Sequence, residues 1–141
     1  MMFIDASAIV GILNDESDAR QLERTLDAAT TPLCVSPLAI FEAVMAIARQ
    51  RSSKGARRVD ADLIARAEAG VAAFVKDIGA REISITAEIG RKAIEAAGGY
   101  GRTVGHKAGL NFGDCLAYAC AKGQEAPLLY KGDDFSRTDT A

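Results

Sequence analysis

At 141 residues, with 49% hydrophobic, 26% charged and 6% aromatic side chains, the chain can fill one packed core but not two, which excludes intrinsic disorder and a two-domain arrangement. Alanine supplies much of the apolar fraction and Trp is absent, a composition that favours closely packed helices over an aromatic-rich β-sandwich. Seventeen basic against nineteen acidic residues leave a net charge of −2, so no global positive field draws the chain to nucleic acid or an anionic membrane, and such a partner needs a local patch.

The N-terminal run Met2-Phe3-Ile4 reads as a buried strand. Three further apolar runs read likewise: Leu33-Cys34-Val35, Ile83-Ser84-Ile85 and Leu128-Leu129-Tyr130. The opening stretch has no basic region and carries Asp5 within its apolar run, so it fails as a signal peptide, and no stretch approaches the ~20 apolar residues of a membrane span. Helical patterns lie between the strands. Ala19, Leu22, Leu26 and Ala29 form one amphipathic stripe, and Ser36-Pro37 reads as a cap opening a helix that runs to about Arg49. Asp60 opens a third helix with Leu63, Ala67, Val71, Phe74 and Ile78 on one face. Thr86 opens a fourth that closes at Gly98-Gly99. Gly98 to Gly113 is Gly-rich and aperiodic, a surface loop, after which Asn111 caps a fifth helix from Phe112 to about Lys122. Strands alternating with helices predict an α/β fold in one domain spanning 1–141, with a parallel sheet covered on both faces. Cys34, Cys115 and Cys120 form an odd set without a CxxC spacing, which argues against disulfides or a thiolate zinc site and for a reducing, cytoplasmic location.

Four acids stand where an acid is expensive. Asp5 follows the first strand directly, at the carboxyl edge where open parallel sheets bind ligands, although it also suits a helix cap. Glu42 belongs to an apolar stripe with Leu38, Phe41, Met45 and Ala48, and the opposite flank, Ile40, Val44 and Ile47, is apolar too. That places its carboxylate on a helix covered nearly all round, where it must be protonated, paired or bound to a cation. Asp114 is the single charge in an apolar helical run. Its place in the first turn lets the helix dipole lower its pKa, and capping chemistry is the plainer role. Asp133 and Asp134 follow the last strand, in what is otherwise a plain Gly-Asp-Asp turn. Two strand ends and two helix starts share one rim of a parallel sheet, so these acids should converge, and such a set of hard oxygens suits Mg²⁺ or Mn²⁺. With His106 the sole histidine, a Ser-His-Asp triad or histidine-bound zinc is poorly supported, whereas metal-assisted phosphodiester cleavage fits a carboxylate site. Basic residues gather in two places: Arg49, Arg51, Lys54, Arg57 and Arg58 beyond the Glu42 helix, and Arg102, His106 and Lys107 before Asp114. Each run is either a grip on a polynucleotide backbone or a solvated loop.

The segments Phe3-Ile4-Asp5-Ala6-Ser7-Ala8, Ser36 to Glu42, Leu110-Asn111-Phe112-Gly113-Asp114-Cys115 and Leu129-Tyr130-Lys131-Gly132-Asp133-Asp134-Phe135 together resemble PIN-domain toxins of the VapC type. The resemblance implies a PIN-like three-layer sandwich with a short parallel sheet of four to five strands. It also implies a Mg²⁺- or Mn²⁺-dependent endoribonuclease, inhibited by a VapB-type antitoxin and usually homodimeric. Carried over by position, Asp5, Glu42 and Asp114 match the first three acids, with Asp5 and Asp114 as metal ligands, and Ser7 matches the small hydroxyl residue after the first. The fourth acid is Asp134, with Asp133 as substitute, because many relatives place it two positions earlier, where this chain has Gly132. Arg102, His106 and Lys107 are expected to hold RNA, although their loop departs from the shorter Arg-His-Pro segment of many relatives. Apolar positions left over on the first helices are the expected dimer face. The rival reading is a catalytically silent metal-binding or protein-interaction module of the same fold.

Overall fold

The computed structural model describes residues 1–55 and 58–140. Arg57, one member of the first basic run, lies outside the described residues. Four strands, β1 (Met2–Ile4), β2 (Leu33–Val35), β3 (Arg81–Glu82) and β4 (Leu128–Leu129), form one parallel sheet in the order β3-β2-β1-β4. Phe3 sits between Cys34 of β2 and Leu128 of β4. The chain therefore winds outward from β1 through β2 to β3 and then returns to β1's other side. The reversal between β1 and β4 is the topological switch point at which open parallel sheets form a crevice.

Six helices flank the sheet: α1 (Ala6–Leu13), α2 (Ala19–Asp27), α3 (Pro37–Lys54), α4 (Ala61–Asp77), α5 (Ala87–Tyr100) and α6 (Phe112–Gly123). Strand side chains alternate between faces, and the core divides accordingly. Ile4, Leu33 and Val35 pack with α1 to α4. Phe3, Cys34 and Leu128 pack with α5 and α6. The result is the expected α/β arrangement with helices on both faces. Four helices start on the caps read from sequence: side-chain oxygens of Ser36, Asp60, Thr86 and Asn111 accept from Ala39, Leu63, Ile89 and Asp114 backbone N–H groups at 2.8–3.2 Å. Among the described residues, no helix is long and apolar enough to cross a membrane.

Several expectations need correction. The third strand is Arg81–Glu82, two residues before Ile83-Ser84-Ile85. Ile83 N–H still donates to Val35 O at 2.8 Å, but β3 is an exposed edge, and Ile83 and Ile85 are half-buried against the α5–α6 core instead of extending the ladder. Tyr130 lies outside β4. The helix after Ser36 runs past Arg49 to Lys54, since nothing before Gly55 breaks it. The Gly98–Gly113 segment is only partly loop: Gly98 to Tyr100 complete α5, Arg102–Val104 form a 3-10 turn, and Gly113 belongs to α6. α3 is not covered all round either. Ala39, Ala43, Val44, Ile47 and Ala48 are buried, while Phe41 is 58% exposed, so the buried stripe is rotated away from the one expected.

Candidate functional site

The carboxyl edge of a parallel sheet collects strand ends and helix starts, and here it collects acids. Asp5, Glu42, Asp114 and Asp134 line one cleft of about 400 Å³, arriving from the end of β1, from α3, from the first turn of α6 and from the segment after β4. Asp133 does not line it; its carbonyl accepts from Ser136 Oγ at 2.6 Å.

Asp5 is 7% exposed, and with Ser36 it is one of two buried polar side chains among the described residues. Its Oδ2 accepts from Ser7 N–H at 3.0 Å, capping α1, and from Ser7 Oγ at 2.5 Å. Ser7 Oγ in turn accepts from Lys131 N–H at 3.0 Å, which ties the segment carrying Asp134 to the end of β1. The Ser7 hydroxyl, expected to face substrate, is thus committed on both sides within the protein. Cap and site coexist at Asp5, because capping occupies one carboxylate oxygen. Burial pushes the Asp5 carboxyl above its ordinary range, against the Ser7 bonds that lower it, and Asp134 adds to the rise.

Glu42 is half-buried, and burial, then Asp5, then Asp114 push its pKa up to about 7. Asp114 and Asn111 form a capping box: Asp114 N–H donates to Asn111 Oδ1 at 2.9 Å, and Asn111 N–H donates to Asp114 Oδ2 at 3.1 Å. The expectation that the helix start would lower the Asp114 pKa is overturned. Burial dominates, the Asn111 bond opposes it, Asp134 and Asp5 add to it, Arg102 opposes it, and the value rises to about 6. Desolvation and the neighbouring carboxylates thus raise this carboxyl in spite of the Asn111 bond and Arg102.

Gly113 brings α3 and α6 together at this point. A Cβ there would stand 2.7 Å from Glu42 Cδ, so only glycine lets the Glu42 carboxylate rest against the first turn of α6 beside Asp114. Sequence reasoning passed over Gly113, although a poor helix former two residues after a cap was a legible signal for close approach. It also passed over Glu16 and Lys131, both of which line the cleft. The Lys131 ammonium pairs with Glu16 and, at 3.4 Å, with Asp18.

Arg102, His106 and Lys107, the loop residues expected to hold RNA, do not line the acid cleft, although Arg102 is near enough to Asp114 to lower its pKa. Arg102 lines a separate apolar groove between α5 and α6, sharing only Asn111 with the acid cleft. His106 Nδ1 accepts from Ala108 N–H at 3.0 Å and its ring meets Tyr100 edge-on at 5.3 Å, while Lys107 is exposed; neither lines the cleft.

Four acids face one another, and among the described residues none has a basic group within ion-pairing distance. Hard carboxylate oxygens with a surplus of negative charge fit a divalent cation. Among the described residues, no three His, Cys, Asp or Glu side chains are grouped tightly enough to ligate one ion by themselves.

The PIN domain family model matches residues 2–141. A VapC ribonuclease from Rhizobium meliloti is 46% identical over 140 residues, 99% of each chain. By structure, the chain is similar to the sarcin-ricin loop cleaving toxin VapC20 of Mycobacterium tuberculosis, with TM-score 0.69 and 17% identity over 96% of this chain and 93% of that one. It is also similar to a chain of a toxin–antitoxin complex from Klebsiella pneumoniae, with TM-score 0.67 and 13% identity over 99% and 94%. At those identities the two structures speak for the fold alone.

Proposed function

The chain belongs to the PIN domain family, and from that premise we propose that it is a Mg²⁺-dependent endoribonuclease toxin of the VapC type, with Mn²⁺ an acceptable substitute. The observation that carries this reading is the convergence of Asp5, Glu42, Asp114 and Asp134 on one cleft without a basic partner. Asp5 and Asp114 would hold the metal. When bound, it would supply Lewis-acid polarisation of a phosphodiester and a water of lowered pKa.

The chain's own residues do the rest. Ser7 fixes Asp5 through the shared Oδ2, leaving Oδ1 for a ligand. The capping box fixes Asp114 in the same manner. Glu42, with a pKa near 7, is suited to accept a proton at its carboxylate from the attacking water, because a base works best when its pKa lies near the operating pH. Asp134, on the exposed segment after β4, completes the site when substrate binds.

A VapB-type antitoxin as partner and a homodimer belong to the same proposal; the family match supports the antitoxin as a partner. Among the described residues the large apolar side chains left exposed are Ile94 and Phe112 at the α5–α6 groove, Val104 after α5, Val59 before α4 and Phe41 by the cleft, and such surfaces would be sought there, mostly not on the first helices. The test is cleavage of a broad RNA panel with Mg²⁺, Mn²⁺ or EDTA. Metal-dependent cleavage that Asp5→Asn and Asp114→Asn each abolish is expected. No metal-dependent cleavage by the unvaried protein would favour a silent interaction module.

A further inference from the structure

The cleft has a wall on α3 whose far end the mechanism does not use. Glu42, Met45, Ala46 and Arg49 all line it, at i, i+3, i+4 and i+7, so they form one face of the helix. Two turns separate Glu42 from Arg49, about 10 Å along the axis. Helical side chains tend to lean toward the N-terminus, and Glu42 lies N-terminal to Arg49 on this face, so a guanidinium at Arg49 can reach along the wall on the acids' side.

The other basic residue of the cleft, Lys131, has its ammonium engaged by Glu16 and Asp18. Arg49 is exposed and, among the described residues, has no hydrogen bond or ion pair. A cation at the rim of an acidic cleft, within reach of it but paired with none of its carboxylates, is placed for an anion that the acids alone would repel.

We propose that Arg49 is a substrate-binding residue that grips an RNA phosphate next to the one being cleaved. The proposal rests on the ribonuclease reading above. The cleaved phosphate must lie near Asp5 and Asp114, and Arg49, two turns farther along α3, reaches the strand where it enters or leaves. Guanidinium suits this position because its planar fork donates two parallel hydrogen bonds to phosphate oxygens.

The experiment compares unvaried protein, Arg49→Ala and Arg49→Lys on an RNA that the unvaried protein cleaves. KM and kcat are measured across a NaCl series and a Mg²⁺ series, with thermal midpoints recorded beside them. Loss of one phosphate contact is expected to raise KM about tenfold in Arg49→Ala, with kcat changed far less. The salt dependence of log KM should flatten by about 0.7, the contribution of one contact on a single strand. Arg49→Lys should keep the salt slope, and the midpoint and Mg²⁺ requirement should not move. Unchanged KM and salt slope in a cleaving Arg49→Ala would overturn the assignment while leaving the ribonuclease reading intact. An altered Mg²⁺ requirement with unchanged KM would overturn it too, making Arg49 a counter-ion of the acids. An unvaried protein that cleaves no RNA would remove the premise and the assignment together.

Discussion

Replacing Glu42 with Gln should stabilise the metal-free protein by an amount that grows as pH rises from about 4.5 and is complete above about 7. In an unfolded chain this carboxyl titrates near 4.5, and in the fold near 7. Between those values the folded protein holds a proton that the unfolded chain has released, so stability falls as pH rises through the window. The cost is absent below the lower value and complete above the upper one. At about 1.4 kcal/mol per pH unit the gap corresponds to roughly 3 kcal/mol, and water reaching a half-buried carboxylate reduces it to about 1–2 kcal/mol. Glutamine keeps the shape that rests against Gly113 and removes the charge. For a chain of this size the gain should appear as about 3–6 °C in thermal midpoint. The assay is thermal unfolding of both proteins in EDTA at about pH 8 and about pH 5, with most of the advantage gone at the lower pH. Saturating Mg²⁺ should narrow the difference at the higher pH, because a cation that binds the folded acids stabilises the unvaried protein more. A variant no more stable than the parent at the higher pH, or equally stabilised at both, would refute the claim that desolvation and carboxylate crowding govern this residue.

Gly113→Ala should lower cleavage sharply while leaving the midpoint unchanged or slightly higher. The added methyl displaces the Glu42 carboxylate, the mobile end of a side chain, while alanine favours the helix by up to ~1 kcal/mol; activity and unfolding measured together check this. Ser7→Ala should cost about 1–2 kcal/mol in denaturant unfolding, because Lys131 N–H loses its acceptor and Asp5 a donor. Asp114→Asn should abolish cleavage yet keep the α6 cap, since an amide oxygen can still accept from Asn111 N–H; unchanged helical circular dichroism beside zero activity is the expected pair. Metal binding should weaken as pH falls through about 7 to about 6, where Glu42 and Asp114 take up protons, and Mg²⁺ titrations across that range would show it.

Much was legible because local physics repeats along the chain. The caps at Ser36, Asp60, Thr86 and Asn111 are short-range hydrogen bonds, and the sequence states them directly. The alternation of strand and helix implied a parallel sheet, and with it a shared carboxyl edge for acids 109 positions apart, Asp5 and Asp114. The buried face of α3 was harder. Both flanks are apolar, so periodicity alone could not say that Ala43, Val44 and Ile47 turn inward and Phe41 outward. The exposed edge decided where β3 stops, since an unpaired flank holds too few hydrogen bonds to extend the ladder to Ile85.

By itself, then, the order of residues determined the elements, the layers and which acids would reach the rim, because these follow from caps and periodicity over a few neighbours. Only the folded molecule decided how those acids behave. Burial beside Asp5 and Asp134 reversed the expected titration of Asp114, the absent side chain of Gly113 admitted Glu42, and Glu16 and Asp18 engaged Lys131 while Arg49 stayed unpaired. Each of these depends on desolvation or contact between distant segments, and distances of that kind exist only once the chain has closed on itself.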